Sequence, residues 1–223
     1  MSRDGPRARL HARPVHSRAG DRKETVVARI ALDPPRTLLN RALAVLSRRR
    51  YGAVLDPLAA VGHNPRVATT YCVLEAGVAR WRSLDPTLTA LAVMASAVQI
   101  GCSWCVDFGY WESEHGDVDP RKLHDVPGWR DSEAYTAVER RVLEYAEAAT
   151  ATPPTVTDEL AAALVDDLGE AAFVELTALV ALENLRSRIN AALGLSSQGF
   201  SDRCEVPLAG GLRTAGTAGR LAG

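Results

Sequence analysis

An uncharged stretch of 21 residues, from Pro86 to Val106, places the strongest constraint on how this 223-residue chain can fold. Roughly 20 apolar residues suffice to cross a bilayer. Threonines, serines, a glutamine, a glycine and two thiols interrupt this stretch, and such a density of polar groups is unlike that of a membrane span. A helix that is apolar nearly all round is typical of a buried core. We therefore expect the central helix of a soluble, cytoplasmic protein with no membrane partner.

The composition favours an all-α fold. Hydrophobic residues make up 47% of the chain and aromatic residues only 5%, while alanine and leucine, which are abundant, have the highest helix propensities. The 26 basic and 27 acidic residues nearly cancel, so the net charge does not point to a nucleic-acid partner. Four unevenly spaced cysteines are too few for a secreted disulfide scaffold, which indicates a reducing compartment.

Capping residues and apolar periodicity divide the chain into seven predicted helices. They span 37–50, 65–82, from a start at Asp85-Pro86 to 100, 102–114, from a cap at Ser132 to about 149, 158–168 and 170–193. The proline-containing stretches 53–64 and 117–131 are expected to be turns and loops, and no strand is predicted. These helices form one all-α domain over residues 25–205, and the segments 1–24 and 206–223 are expected to be disordered tails.

The predicted second helix carries one apolar stripe. Its members recur at spacings of four and three, which places them on a face directed at a core. They are Val67, Tyr71, Leu74, Val78 and Trp81. Glu75 lies at the edge of the stripe. From there its carboxylate can either approach the central helix and its thiols or form a surface salt bridge.

Cys102 and Cys105 offer the clearest chemistry in the sequence. A spacing of three on a helix brings two side chains onto one face, close enough for a disulfide or for shared ligation of a metal. The start of a helix also stabilises thiolates. Two buried structural cysteines would show the same spacing, because cysteine is often buried. Redox chemistry is favoured over both alternatives, and metal binding is disfavoured because the sequence contains no second CxxC motif.

The residues around these cysteines also resemble a known family. The stretch 64–112, with LDPTLTALAVMASAVQIGCSWCVDFGYW at its centre, resembles the carboxymuconolactone decarboxylase-like superfamily, particularly its alkylhydroperoxidase D-like (AhpD-like) branch. Later segments, ERRVLEYAEAATATP and FVELTALVALENLRSRINAALG, look like helices that follow the motif, so that the resemblance covers roughly 37–205. It implies an AhpD-like helical bundle that assembles into homo-oligomers. It further implies reduction of hydroperoxides through a dithiol-disulfide cycle, with no cofactor or metal.

The resemblance also assigns roles to the two thiols. It places Cys105 as the thiol that attacks the peroxide and Cys102 as the resolving thiol, whereas the helix dipole alone acts most strongly on the more N-terminal Cys102. The family motif has a glutamate twelve residues before the first cysteine and a histidine four residues after the second. Ala90 and Gly109 occupy those positions here. Because neither residue can transfer a proton, another group has to, and Glu75 is the leading candidate.

We therefore expect an antioxidant oxidoreductase, a peroxidase of the peroxiredoxin type, that uses a hydroperoxide substrate and an external dithiol reductant. The alternative is a non-enzymatic helical oligomer whose cysteines are structural or redox-sensing, which the loss of both proton-transfer positions favours. Other conspicuous residues have simpler interpretations. Asp107 is expected to complement the helix N-terminus. The polar residues of the last helix, Glu183, Asn184, Arg186 and Arg188, are expected to form inter-helix or inter-subunit salt bridges.

Overall fold

A computed structural model describes residues 28–114, 116 and 118–201, and in this part of the chain the regular structure is entirely helical. The helices are α1 (Leu38–Tyr51), α2 (Asp56–Val61), α3 (Pro65–Val78), α4 (Pro86–Ile100), α5 (Ser103–Glu114), α6 (Pro120–Asp125), α7 (Ala137–Thr150), α8 (Asp158–Leu168) and α9 (Glu170–Leu193), with a 3₁₀ turn at Val126–Gly128. The all-α prediction is confirmed. The predicted tails 1–24 and 206–223 lie outside the described residues.

Helix α4 is the centre of the fold, as the sequence predicts. It is buried on nearly all sides and packs mainly against α7, α9 and α5. Asp85 begins the helix by accepting the backbone N–H of Thr87, and Gly101 ends it in the left-handed conformation with φ 79°. That conformation is accessible to glycine at little cost. It allows the chain to reverse and begin α5 only two residues later.

Short helices occupy both stretches that were predicted to be loops, so those predictions were wrong. Helix α2 has Pro57 in its first turn. Helix α6 begins with Pro120 after Asp119, whose side chain accepts the N–H of Arg121 at 2.9 Å. Proline in the first turn removes an N–H that has no helical partner in any case. Both segments therefore carried a helix-start signal, but each is only six residues long.

Two boundaries also differ from the predictions. Helix α3 ends at Val78 and not at 82. Helix α7 begins after Thr136 and not at Ser132, because Thr136 and Glu139 form a reciprocal capping box. The predicted bounds of α8 and α9 are confirmed at both ends.

The apolar stripe of α3 is only partly covered, which corrects the prediction that it faces a core. Val67 is 45% exposed and Leu74 is 39% exposed, while Ala68 is fully buried. A groove runs between α3 and the C-terminal half of α9, and its lining includes Val67, Leu74, Leu185 and Ile189. Within the described helices, none is both long and apolar enough to cross a bilayer.

Candidate active site

The chain reversal at Gly101 places Cys102 immediately before the first residue of α5. Its sulfur accepts the backbone N–H of Cys105 at 3.2 Å, as the side chain of a helix N-cap residue does. The two cysteines are bonded to each other as a disulfide, with their Cα atoms 5.3 Å apart. Cys102 is 2% exposed and Cys105 is 7% exposed, so Cys105 is the more accessible of the two.

Two polar side chains of α9 cover the disulfide. The hydroxyl of Ser187 lies 3.2 Å from the sulfur of Cys105. The amide of Asn190 lies 3.4 Å from the Cys105 sulfur and 3.9 Å from the Cys102 sulfur. Both side chains are buried. Helix α9 therefore supplies the polar side chains that contact the disulfide.

Glu183 extends this arrangement by one helical turn. Its Oε1 atom lies 2.7 Å from the hydroxyl of Ser187, and the residue is only 2% exposed. Burial raises the pKa of Glu183 to about 7, although Arg186 and the Ser187 hydrogen bond act in the opposite direction. A carboxyl with this pKa exchanges its proton near neutral pH, which is the range suited to a general acid or base.

Glu75 lies next to this group and is linked to it through Arg186. The guanidinium of Arg186 donates to both carboxylate oxygens of Glu75, at 2.8 and 2.5 Å. A third nitrogen of Arg186 lies 3.5 Å from Oε2 of Glu183. Glu75 therefore connects to Cys105 through Arg186, Glu183 and Ser187, and its carboxylate is engaged by the arginine.

No prediction from the sequence places Glu183, Ser187 and Asn190 beside the cysteines, although a signal was present. The three residues follow one another at spacings of four and three, which places them on one helical face. That face continues the buried apolar positions Leu176 and Leu179 toward the C-terminus. A buried stripe that changes from apolar to polar partway along a helix indicates a site. The predicted inter-helix salt bridge is formed by Arg186, which pairs with Glu75 of α3, whereas buried Glu183 pairs with Arg186 of its own helix.

The positions at which the resemblance calls for a glutamate and a histidine have other neighbours here. Ala90 packs against the hydrophobic core. A Cβ atom at Gly109 would lie 3.0 Å from the terminal methyl group of Met94, a distance at which the methyl would have to move. The side chain of Met94 thus occupies the space beside Gly109.

Asp107 anchors the end of the described chain and does not complement the N-terminus of α5 as predicted. Its buried carboxylate accepts the backbone N–H groups of Gln198, Phe200 and Ser201, and also the hydroxyl of Ser201. The indole of Trp104 donates to the side chain of Gln198 at 2.8 Å. The 198–201 segment is therefore held against the helix that carries the cysteines.

The remaining cysteines, and the aromatic residues near the cysteine pair, have clear placements. Trp104 stacks on Phe108 with ring centroids 5.0 Å apart and has little exposed surface. Cys72 is a free, half-buried thiol, and Cys204 lies outside the described residues. Over the range that the structure describes, there is no group of three or more His, Cys, Asp and Glu residues arranged to bind a metal ion.

Comparison with known sequences identifies the family of this chain. Residues 65–148 match the profile of the carboxymuconolactone decarboxylase family. The uncharacterised protein YnjA of Escherichia coli K12 is 37% identical over 171 residues, which span 76% of this chain and 92% of that protein. The chain belongs to the carboxymuconolactone decarboxylase family.

Solved structures share the fold. The debrominase Bmp8, solved as a cysteine-to-alanine variant in complex with 2,3,4-tribromopyrrole, has a TM-score of 0.68 at 19% identity and covers 79% of this chain and 96% of its own. ATU0492 of Agrobacterium tumefaciens, a protein of unknown function named in connection with AhpD and antioxidant defence, has a TM-score of 0.55 at 22% identity. That match covers 61% of this chain and 94% of ATU0492. At these identities the likeness concerns the fold.

Proposed function

We propose that this protein is a thiol-dependent peroxidase in which Cys105 attacks a hydroperoxide and Cys102 resolves the product as a disulfide. The observation that carries the proposal is the position of the Ser187 hydroxyl, 3.2 Å from the Cys105 sulfur and 2.7 Å from Glu183. This hydroxyl offers the thiol a path to a buried carboxyl whose pKa is about 7. Glu183 would thereby supply the base that is missing at Ala90 and Gly109.

The reaction begins with the reduced pair and Glu183 as a carboxylate. Glu183 takes the hydroxyl proton of Ser187 while Ser187 takes the thiol proton of Cys105. The Cys105 thiolate then attacks the outer oxygen of the peroxide, so that an S–O bond forms and the O–O bond breaks. The departing alkoxide receives the proton back from Glu183 through Ser187 and leaves as an alcohol. Cys105 is left as a sulfenic acid.

Cys102 completes the oxidation. Its sulfur attacks the sulfenic sulfur of Cys105, the S–S bond forms and the S–O bond breaks. The departing hydroxide combines with the Cys102 proton to give water. The N–H of Cys105 and the amide of Asn190 face the Cys102 sulfur, where they stabilise negative charge on it. In sum, two thiols are oxidised and one peroxide is reduced to an alcohol and water.

The proposal includes an external dithiol that regenerates the thiols through a mixed disulfide. The less buried Cys105 is the sulfur that this reductant would attack, and Cys102 would leave as the thiolate stabilised at the helix start. A reducing compartment, the cytoplasm, suits such a cycle. The proposal also includes self-association, because the groove between α3 and α9 exposes Val67, Leu74 and Leu185.

The decisive experiment is stopped-flow consumption of an alkyl hydroperoxide by the reduced full-length protein. Cys72 and Cys204 are replaced by serine so that only the CxxC thiols are counted. We expect one alcohol to form for every two thiols lost, with peptide mapping showing a Cys102–Cys105 disulfide. If the peroxide is not consumed and both thiols stay alkylatable, the proposal fails and the non-enzymatic oligomer with structural cysteines takes its place.

One structural neighbour suggests a second compound to test beside the hydroperoxide. Because Bmp8 is named as a debrominase and was solved with 2,3,4-tribromopyrrole, that compound is mixed with the reduced protein under the same conditions. The proposal predicts faster thiol loss with the hydroperoxide. Thiol loss with the bromopyrrole alone would retain the redox pair but exclude the hydroperoxide as its substrate.

A further inference from the structure

Arg186 lies between two carboxylates and is shared unequally between them. It forms a two-point contact with Glu75, at 2.8 and 2.5 Å, and a single longer contact of 3.5 Å with Glu183. Paired contacts between a guanidinium and a carboxylate are the stronger kind. Glu75 comes from α3, whereas Arg186 and Glu183 belong to α9. Helix α3 therefore contributes a charge to a site that α5 and α9 otherwise build.

The charges that act on Glu183 belong to α3 and α9. Helix α4, which packs against α9, contains no charged residue. Helix α3 adds the phenol of Tyr71, whose pKa burial raises to about 12. Glu112 of α5 interacts electrostatically with Arg186 and Glu75, and also with Arg50 of α1. Arg186 and Glu75 are thus the two charges that act most directly on Glu183, with opposite signs.

We propose that Glu75 and Arg186 are positioning residues that set the protonation of Glu183 in opposite directions. The cationic Arg186 favours the carboxylate form of Glu183. Glu75 binds Arg186 at two points and compensates part of its positive charge, which weakens this effect. If Glu75 is removed, the whole guanidinium charge becomes available to Glu183. If Arg186 is removed, Glu183 faces the charge of Glu75 without compensation. The consequence for catalysis rests on the proposed function, in which Glu183 is the base.

This inference differs from an ordinary structural role for the ion pair. A structural pair that ties α3 to α9 would be lost equally in either variant, so both variants would change the protein in the same direction. Looser packing would also admit water around Glu183 and lower its pKa in both cases. Shifts of opposite sign in the titration of Glu183 require the electrostatic role.

The experiment is a pH titration of Glu183 in the oxidised full-length protein, observed by NMR of ¹³C-labelled glutamate carboxyl groups. The Glu183 signal is identified by its absence in Glu183→Gln. We expect the midpoint to fall by roughly one pH unit in Glu75→Gln and to rise by about as much in Arg186→Gln, the size typical of one nearby charge. Asp167→Asn is the matched control, because it breaks a partly buried Arg141–Asp167 pair between α7 and α8 and should leave the midpoint unchanged.

A second variant covers the case in which Arg186→Gln does not fold. In the double variant Glu75→Gln with Arg186→Gln, two amides replace the charged pair, and the Glu183 midpoint should lie above that of Glu75→Gln alone. Midpoints that move in the same direction in both single variants, or a double variant at or below Glu75→Gln, would overturn the inference. The acidic limb of the peroxide-reduction profile should shift in the same directions as the midpoints.

The titration needs no substrate, so it separates this inference from the proposed function. If the wild-type protein consumes no hydroperoxide while the midpoints move in opposite directions, the peroxidase proposal fails and the electrostatic role of the pair stands. If hydroperoxide is consumed but the midpoints do not move, the peroxidase proposal stands and the inference about Glu75 and Arg186 is wrong.

Discussion

The two halves of α9 bury the same face of the helix, but the first half packs into the hydrophobic core and the second lies against the cysteine pair. The N-terminal half contributes apolar side chains, including Leu176 and Val180, to the hydrophobic core. The C-terminal half buries Glu183, Ser187 and Asn190 against the cysteine pair. The continuous helix holds both sets in register, so the core that fixes the first half also positions the second.

The polar residues of the C-terminal half differ from the apolar residues of the first half in their free-energy cost and in the chemistry that they make possible. A buried polar group costs free energy unless it is hydrogen-bonded. No described buried side-chain nitrogen or oxygen lacks a partner, so the C-terminal half does not carry that penalty in full. Glu183 nevertheless remains costly as a carboxylate, which is why burial raises its pKa. Burial of Glu183 thus lowers the stability of the protein while it provides a carboxyl group that can exchange its proton near neutral pH.

The largest effect is expected from replacing the cysteines that the C-terminal half of α9 contacts. Cys105→Ser should abolish turnover, because the attacking sulfur is lost. Cys102→Ser should retain one round of oxidation, because the sulfenic acid still forms but is not resolved. Single-turnover consumption of hydroperoxide, followed by mass spectrometry of Cys105, measures both. Exchanged behaviour of the two variants would assign the attack to Cys102, and wild-type turnover in both would leave no catalytic role for the pair.

Glu183→Gln tests the proton path with little change in shape. The amide still offers Ser187 an oxygen acceptor but cannot take its proton. We expect peroxide reduction at neutral pH to slow by about 10²-fold, the lower end for loss of a general base. Glu144→Gln on α7 is the comparison for removing a glutamate from another helix. An equal loss in both variants, measured by stopped flow, would contradict the assignment.

Leu176→Ala examines the other half of the helix. Leu176 is fully buried, and truncating such a leucine leaves a cavity that costs about 2–5 kcal/mol of unfolding free energy. The rate of peroxide reduction per folded molecule should stay near that of the wild type, because the reacting groups are untouched. Urea unfolding and stopped-flow kinetics together test this. A stable variant with a slow reaction would mean that the two halves of α9 are not separate in function.

The pH dependence of stability sharpens the same comparison. The pKa of Glu183 is about 7 in the folded protein, against an ordinary value of 4.5. Between these pH values the unfolded chain releases the proton while the folded protein keeps it. Stability therefore falls as pH rises through this window, by about 3 kcal/mol for a difference of this size.

Glu183→Gln isolates that contribution, because other titrating groups are common to both proteins. Urea unfolding of the two proteins across the window should show the wild type losing stability relative to the variant as pH rises. Parallel curves would mean that the Glu183 carboxyl is not perturbed by burial.

The sequence predicted the cysteine pair and most helices because those features are local. The bounds of α8 and α9 follow from a threonine cap, a glycine and an apolar repeat, all within a few residues. The starts of α2 and α6 carried proline signals of the same kind. Six residues are nevertheless too few for an apolar repeat to show, so the sequence predicts no helix in either segment.

The partners of the cysteines could not be predicted because they depend on how distant segments pack. Ser187 lies 82 positions beyond Cys105, and the pattern on α9 does not by itself name α5 as the helix that this face meets. The polar spacing of Glu183, Ser187 and Asn190 marks one face, but only tertiary packing assigns it to the interior. Glu75 was selected for its place at the edge of a stripe, and that stripe is itself only half covered.

The smallest effect on the folded chain is expected on the outer face of the C-terminal half, where Leu185 is 42% exposed and lines the groove beside α3. Leu185→Glu should reduce the mass measured by light scattering, because a charge disfavours an apolar interface. Val174→Glu is the matched control, since Val174 is 65% exposed on the same helix but is not among the groove-lining residues. Both changes should alter unfolding free energy by no more than about 0.5 kcal/mol.

A wild-type protein that is monomeric at micromolar concentration, or an equal loss of mass in Val174→Glu, would contradict assembly through this groove. A selective loss in Leu185→Glu would mean that the exposed face of the second half of α9 contacts a second copy of the chain.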